Sequence, residues 1–169
     1  RGWVSDDGFR SWRYAHGGVG PWSGGVAAAF SRDGSIYLTT GQGGFNNGIV
    51  YSHDGGKTWT PIRRVPINGF PAHAIILKDG RILVSYAKRD GGMEGEYAIF
   101  SSDNGKTWVD DRMIAPWVGW DIGYPSSVQL DDGRVMPVFY QANYPNHKPA
   151  IKYAIWDPAY KPRYNAYKE

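Results

Sequence analysis

An eight-residue pattern, S-x-D-x-G-x-T-W, occurs twice in this chain, at 52–59 and at 101–108. A third copy at 5–12 keeps the Ser, the Asp and the Trp, with Ser11 in place of Thr and Phe9 in place of the second Gly. Successive copies start 47 and 49 residues apart. A fixed period of that length marks a repeat architecture, in which one supersecondary unit stacks on copies of itself. A second series interleaves with the first. Asp33-Gly34, Asp79-Gly80 and Asp132-Gly133 each follow one apolar run and precede another, which is the pattern of a hairpin turn.

Aligning the two series divides each period into four short strands. The runs before and after the Asp-Gly turns are 26–30 and 36–38, then 74–77 and 82–86, then 127–130 and 135–140. A third strand follows at 49–51, 97–100 and 151–156, and a fourth is expected to begin at the Trp of each repeated turn. Four antiparallel strands per period describe a β-propeller blade. The expected fold class is therefore all-β: half a blade at 3–16, blades at 26–64 and 72–114, a partial blade at 127–156 and a tail at 157–169. That is about three and a half blades, fewer than a closed ring requires. The chain also starts at Arg1 with no initiator Met. The expectation is the C-terminal portion of a larger propeller, whose remaining blades or an oligomeric partner close the ring.

Composition narrows the functional classes. With 19 basic and 16 acidic residues scattered along its length, the chain has a net charge of +3 and no long basic run, so nucleic acid is not an expected partner. Its apolar runs are far shorter than the roughly 20 residues of a membrane-spanning helix, so no membrane partner is expected either. There is no Cys, and the four His at 16, 53, 73 and 147 are widely separated, so neither a metal site nor a cofactor is expected.

The repeated turn has a structural explanation. Ser and Asp side chains bond backbone N–H groups of their own turn, Gly supplies a positive φ, and the Trp restarts a strand with its indole packed between neighbours. Residues recurring at blade period are spread around a ring and do not converge. Asp7, Asp54 and Asp103, with Trp12, Trp59 and Trp108, are accordingly expected to be structural rather than catalytic.

These turns resemble the Asp-boxes, or bacterial neuraminidase repeats, of the sialidase superfamily. The last unit adds to the likeness: Gly123-Tyr124-Pro125-Ser126-Ser127, the Asp132-Gly133 turn, and the strands around Val138-Phe139-Tyr140 and Ile151-Lys152-Tyr153-Ala154 are similar to the final part of bacterial exo-sialidases. The resemblance implies a six-bladed propeller with its active site on the face opposite the boxes. It also implies a Tyr nucleophile with a Glu as its base, an Asp acid/base, and three Arg that hold the substrate carboxylate. Tyr124 matches the nucleophile. Arg89 stands near the place of the third Arg, at a longer spacing from the Tyr than the family's. The places of the Glu and of the second Arg are taken here by Gly24-Gly25 and Thr40-Gly41. The resemblance implies a glycoside hydrolase, exo-sialidase-like, acting on extracellular acidic glycans, and a secreted or periplasmic location.

Two alternatives stand beside that reading. His73 and Tyr124 fall at corresponding innermost-strand starts, which line the central channel, so His73, Tyr124 and Arg89 are expected to converge. Such a set suits a propeller-type polysaccharide lyase acting on uronic acids. A non-catalytic propeller that binds glycan or protein through its loops is the other alternative. Asp121 and Trp120 are further candidates for substrate contact, and Trp22, Trp117 and Trp120 suit stacking on sugar rings.

Overall fold

The computed structural model describes residues 2–15, 27–30, 33–40, 48–89, 92–117, 119–143 and 148–160. Within them lie thirteen strands in four antiparallel sheets. The first sheet pairs β1 (Gly2–Val4) with β2 (Arg13–Ala15). The second contains β3 (Ala27–Phe30), β4 (Ile36–Thr40), β5 (Gly48–Ser52) and β6 (Arg63–Arg64), in that order. The third runs β7 (Ala72–Ile76), β8 (Ile82–Lys88), β9 (Gly95–Ser101) and β10 (Val109–Pro116). The fourth has β11 (Ile122–Gln129), β12 (Val135–Asn143) and β13 (Lys148–Tyr153). Each sheet is a meander of sequence neighbours, the order of a propeller blade.

Some boundaries differ from the sequence expectation. The innermost strand of the last sheet begins at Ile122 and so includes Tyr124, because the chain pairs with β12 on both sides of a bulge between Gly123 and Ser126. In the second sheet, β6 begins four residues after Trp59, since only Arg63 and Arg64 pair with β5. Trp156 lies beyond β13 and makes an isolated bridge to Val135. The tail from 161 onward lies outside the described residues.

Burial follows from stacking. Residues 82–87 of β8 and all of β9 are buried, which requires cover on both faces of the sheet. Alternate side chains go to alternate sides. Ile82, Val84 and Tyr86 pack with Tyr37, Ile49 and Ala74 in the core shared with the second sheet. Leu83 joins Phe100 and Val135, and Ala87 joins Ile122 and Phe139, in two cores shared with the fourth. The innermost strands lie side by side, with β7 against both β3 and β11.

The turns at one end of the blades are self-contained. The Asp103 carboxylate accepts from the Lys106 and Thr107 N–H groups and from the Thr107 and Ser101 hydroxyls, and Ser101 Oγ accepts from Gly105 N–H. Asp54 and Asp7 repeat this pattern. The Thr107 hydroxyl bond is the main reason the Asp103 carboxyl is held down at about 2, and the Thr58 hydroxyl is the main reason the Asp54 carboxyl lies well below the usual carboxylate range. Two successive residues in each turn have positive φ: Gly8 and Phe9, Gly55 and Gly56, Asn104 and Gly105. The worn copy thus keeps the backbone of the others although Phe9 lacks a glycine's freedom. One expectation is corrected here. Trp59 and Trp108 are half-buried, but Trp12 is 53% exposed and sits beside the Phe9 ring, because its two-stranded sheet offers little surface to cover it.

Because the strands are antiparallel, the repeated turns and the Asp-Gly turns share one end of each blade. The starts of β7 and β11 and the end of β8 share the other. Ser101 is 1% exposed, so Ser101→Ala should cost about 1–3 kcal/mol in urea unfolding.

Candidate functional site

The end of the blades away from the repeated turns gathers charged and aromatic groups where the third and fourth sheets meet. Ser85, Ala87 and Arg89 alternate along β8 and its extension, so all three face the fourth sheet. Ser85 Oγ lies 2.7 Å from Ser127 Oγ. A Cβ built on Gly123 would lie 3.0 Å from Ala87 Cβ and 2.9 Å from Arg89 Nη2. Only glycine permits this approach, and at φ 139° only glycine holds the backbone conformation comfortably.

Immediately after it, Tyr124 has φ 54° within the bulge and its side chain is 67% exposed. A bulge re-aims a side chain that regular pairing would direct along the sheet normal. Tyr124 is thereby brought to Arg89, whose Cζ lies 5.8 Å from the Tyr124 ring centre and 5.1 Å from that of Phe70. Aromatic faces attract the guanidinium but do not neutralise it. Arg89 Nε and Nη2 are buried and have no hydrogen-bond partner among the described residues.

Two neighbours were not singled out from sequence. Tyr140 is the register partner of Gly123 on β12, and its ring centre lies 5.8 Å from that of Tyr124. Its hydroxyl donates to Asp121 Oδ1 at 2.5 Å. Burial, followed by that carboxylate, raises the Tyr140 pKa, while Arg89 opposes the rise. Of the two facing rings, Tyr140 is therefore the one with a carboxylate acceptor, and Asp121 is engaged with it. Glu96 is the second neighbour. It pairs with Ala87 across β8 and β9 and so shares the face of Arg89, diagonal to it. Glu96 is fully buried, and among the described residues neither carboxylate oxygen has a hydrogen-bond partner. Burial pushes its carboxyl up to about 8, against the pull of Arg89. An acidic residue at an inward position of the strand Gly95–Ser101 was the available signal.

The expected convergence is only partial. Arg89 and Tyr124 meet, but His73 lies deeper along β7, where its Nδ1 accepts from Ser127 N–H at 3.2 Å. Burial lowers its pKa, so the imidazole is neutral at pH 7. Among the described residues, no hydrogen bond or ring contact joins His73 to Arg89 or Tyr124. His73 instead lines a groove of about 470 Å³ with Phe30, Ile75, Lys78, Ser127 and Gln129. Trp117 is half-buried. It packs against the core of Ala87, Ile122 and Phe139. Trp120, by contrast, is 63% exposed. Trp22, Gly24, Gly25 and Gly41 lie outside the described residues, as does the side chain of Thr40.

Comparison with solved structures assigns the architecture. The chain is similar to a protein of unknown function from Dyadobacter fermentans, with 28% identity and a TM-score of 0.71 over 92% of this chain and 44% of that one. It also superposes on the intramolecular trans-sialidase of Ruminococcus gnavus, with 19% identity, TM-score 0.62, 92% of this chain and 37% of that one. The leech intramolecular trans-sialidase gives 18%, 0.62, 92% and 27%. The fold is that of the sialidase-type β-propeller, also shared with other propeller glycoside hydrolases. The chain spans less than half the length of each of these three structures. No family model matches the sequence, and no curated protein sequence does either.

A carboxyl that ionises near 4.5 when unfolded and near 8 when folded makes folding take up a proton between those values. Stability should therefore fall as pH rises from about 5 to about 8, by a few kcal/mol, on the order of 3. Urea unfolding of Glu96→Gln, which cannot titrate, should lack this slope.

Proposed function

We propose that this chain supplies part of the ligand-binding mouth of a carbohydrate-active propeller that acts outside the cytoplasm on acidic glycans, as an exo-sialidase-like glycoside hydrolase. The observation that carries the reading is Arg89: a permanent cation whose Nε and Nη2 are buried without partners, beside the exposed phenol of Tyr124. A guanidinium in that state favours an incoming carboxylate, and a bidentate contact would satisfy the missing hydrogen bonds. Trp120, exposed one residue before Asp121, suits the face of a sugar ring.

In this reading Tyr124 is the nucleophile, a neutral phenol that does not repel an anionic sugar. Tyr140, with its proton directed at Asp121, fixes the position of the Tyr124 ring. A second reading, glycan binding without hydrolysis, is favoured by the glycines and threonine standing where the sialidase Glu and second Arg belong. The lyase alternative receives less support, because His73 is held at Ser127 rather than beside Arg89.

Release assays on fluorogenic sialosides and on uronate polymers, paired with direct binding measurements on the full-length chain, separate these readings. Arg89→Met should weaken binding of acidic sugars about tenfold or more, with neutral sugars unaffected. For a hydrolase, Tyr124→Phe should lower turnover about a hundredfold or more while preserving binding, and His73→Ala should change it little. Binding with no release by any variant identifies the non-catalytic protein, and loss of uronate cleavage in His73→Ala identifies the lyase.

A further inference from the structure

Arg89 and Glu96 form an unusual couple. They are diagonal neighbours on one face of β8 and β9, each has buried polar atoms without hydrogen-bond partners, and they make no ion pair within 4.0 Å. Of the other ionisable groups near this pair, Glu94 lies just before β9, opposite Arg89 in the continued register, and its Oε1 accepts from Gly92 N–H. On the same sheet, Lys88 points to the opposite face, over the Tyr97 ring at 5.7 Å, and Asp111 accepts from Tyr86 on that opposite side. Arg112 of β10 shares the face but is committed elsewhere, between the Phe100 and Trp156 rings and bonded to the Tyr160 carbonyl. The register partner of Glu96 on β10 is Ala115, which carries no charge. From the fourth sheet, Tyr124, Tyr140 and Asp121 face the mouth, and Asp121 is occupied by Tyr140.

We propose that Glu96 determines whether Arg89 can hold an acidic ligand: protonated, it leaves the guanidinium charge uncancelled for the ligand's carboxylate; ionised, it takes that charge for itself. This rests on the acidic-glycan reading and adds to it a residue that never touches the ligand. The physical basis is desolvation. A buried carboxylate without hydrogen bonds is costly, so Glu96 keeps its proton near neutral pH and leaves the Arg89 guanidinium uncancelled from its side. Above about pH 8 the carboxylate forms, and its closest compensation is the guanidinium two positions along the neighbouring strand. A ligand on Arg89 and a charge on Glu96 then compete, so each must weaken the other to the same degree.

The full-length chain, labelled with ¹³C at the Glu carboxyl, would be titrated from pH 5 to 10 with and without D-glucuronate or N-acetylneuraminate. D-glucose would serve as the neutral control. The Glu96 resonance should titrate above pH 7 and move higher when an acid is bound. Wild-type affinity for the acids should fall about tenfold or more between pH 6.5 and 9.5, whereas Glu96→Gln should keep its affinity. Affinity unchanged over that range, or a Glu96 resonance titrating below pH 6, would overturn the proposal while leaving the acidic-glycan reading standing. Failure of both acids to bind at any pH would sink the acidic-glycan reading, and the role given to Glu96 with it. Should Glu96→Gln not fold, the wild-type titration with and without ligand decides alone.

Discussion

A strand covered on both faces can bury side chains in unbroken sequence, and β8 does so from Ile82 to Ala87. Its even-numbered residues enter one inter-blade core and its odd-numbered residues enter the next. Each fully buried Ile, Leu or Val contributes roughly 1.5–3 kcal/mol. The strand is therefore tied to two sheets at once, and its end is held firmly. Arg89 follows directly from that end. The charge at the mouth is positioned by the same alternation that fills the cores, with no local turn or ion pair needed to aim it.

The same two-sided cover explains the condition of Glu96. Its strand, β9, is buried throughout, so any side chain on its inward face must do without water. Six of its seven positions hold residues that tolerate this; the carboxyl does not, and it remains there beside a guanidinium that is itself incompletely satisfied. Packing and charge conflict at this one position, and such conflicts concentrate at functional sites more than in ordinary cores.

What the sequence reveals depends on how local each interaction is. The turns around Asp54 and Asp103 close their hydrogen bonds within a few residues, so residue types alone announce them, and even the copy with Phe9 folds as its pattern implies. The neighbouring strands of the meander follow from the Asp-Gly turns for the same reason. Tyr140 and Glu96 escape notice because their partners come from register across strands and from packing across sheets. His73 is misjudged because its place along β7 is legible but its partner is not: the bulge after Gly123 turns Tyr124 outward and presents Ser127 N–H to the imidazole. A one-residue irregularity in pairing leaves no mark in hydrophobic spacing.

The self-contained turns divide the molecule into two ends with different freedoms. At one end, backbone N–H groups are held by side chains of the same eight residues, so the loops there have almost no shapes left to choose. At the other, the strand starts and ends meet through aromatic faces, a bulge and charges without fixed partners. A propeller built this way can exchange the chemistry of one rim without renegotiating how its blades are sewn together on the other.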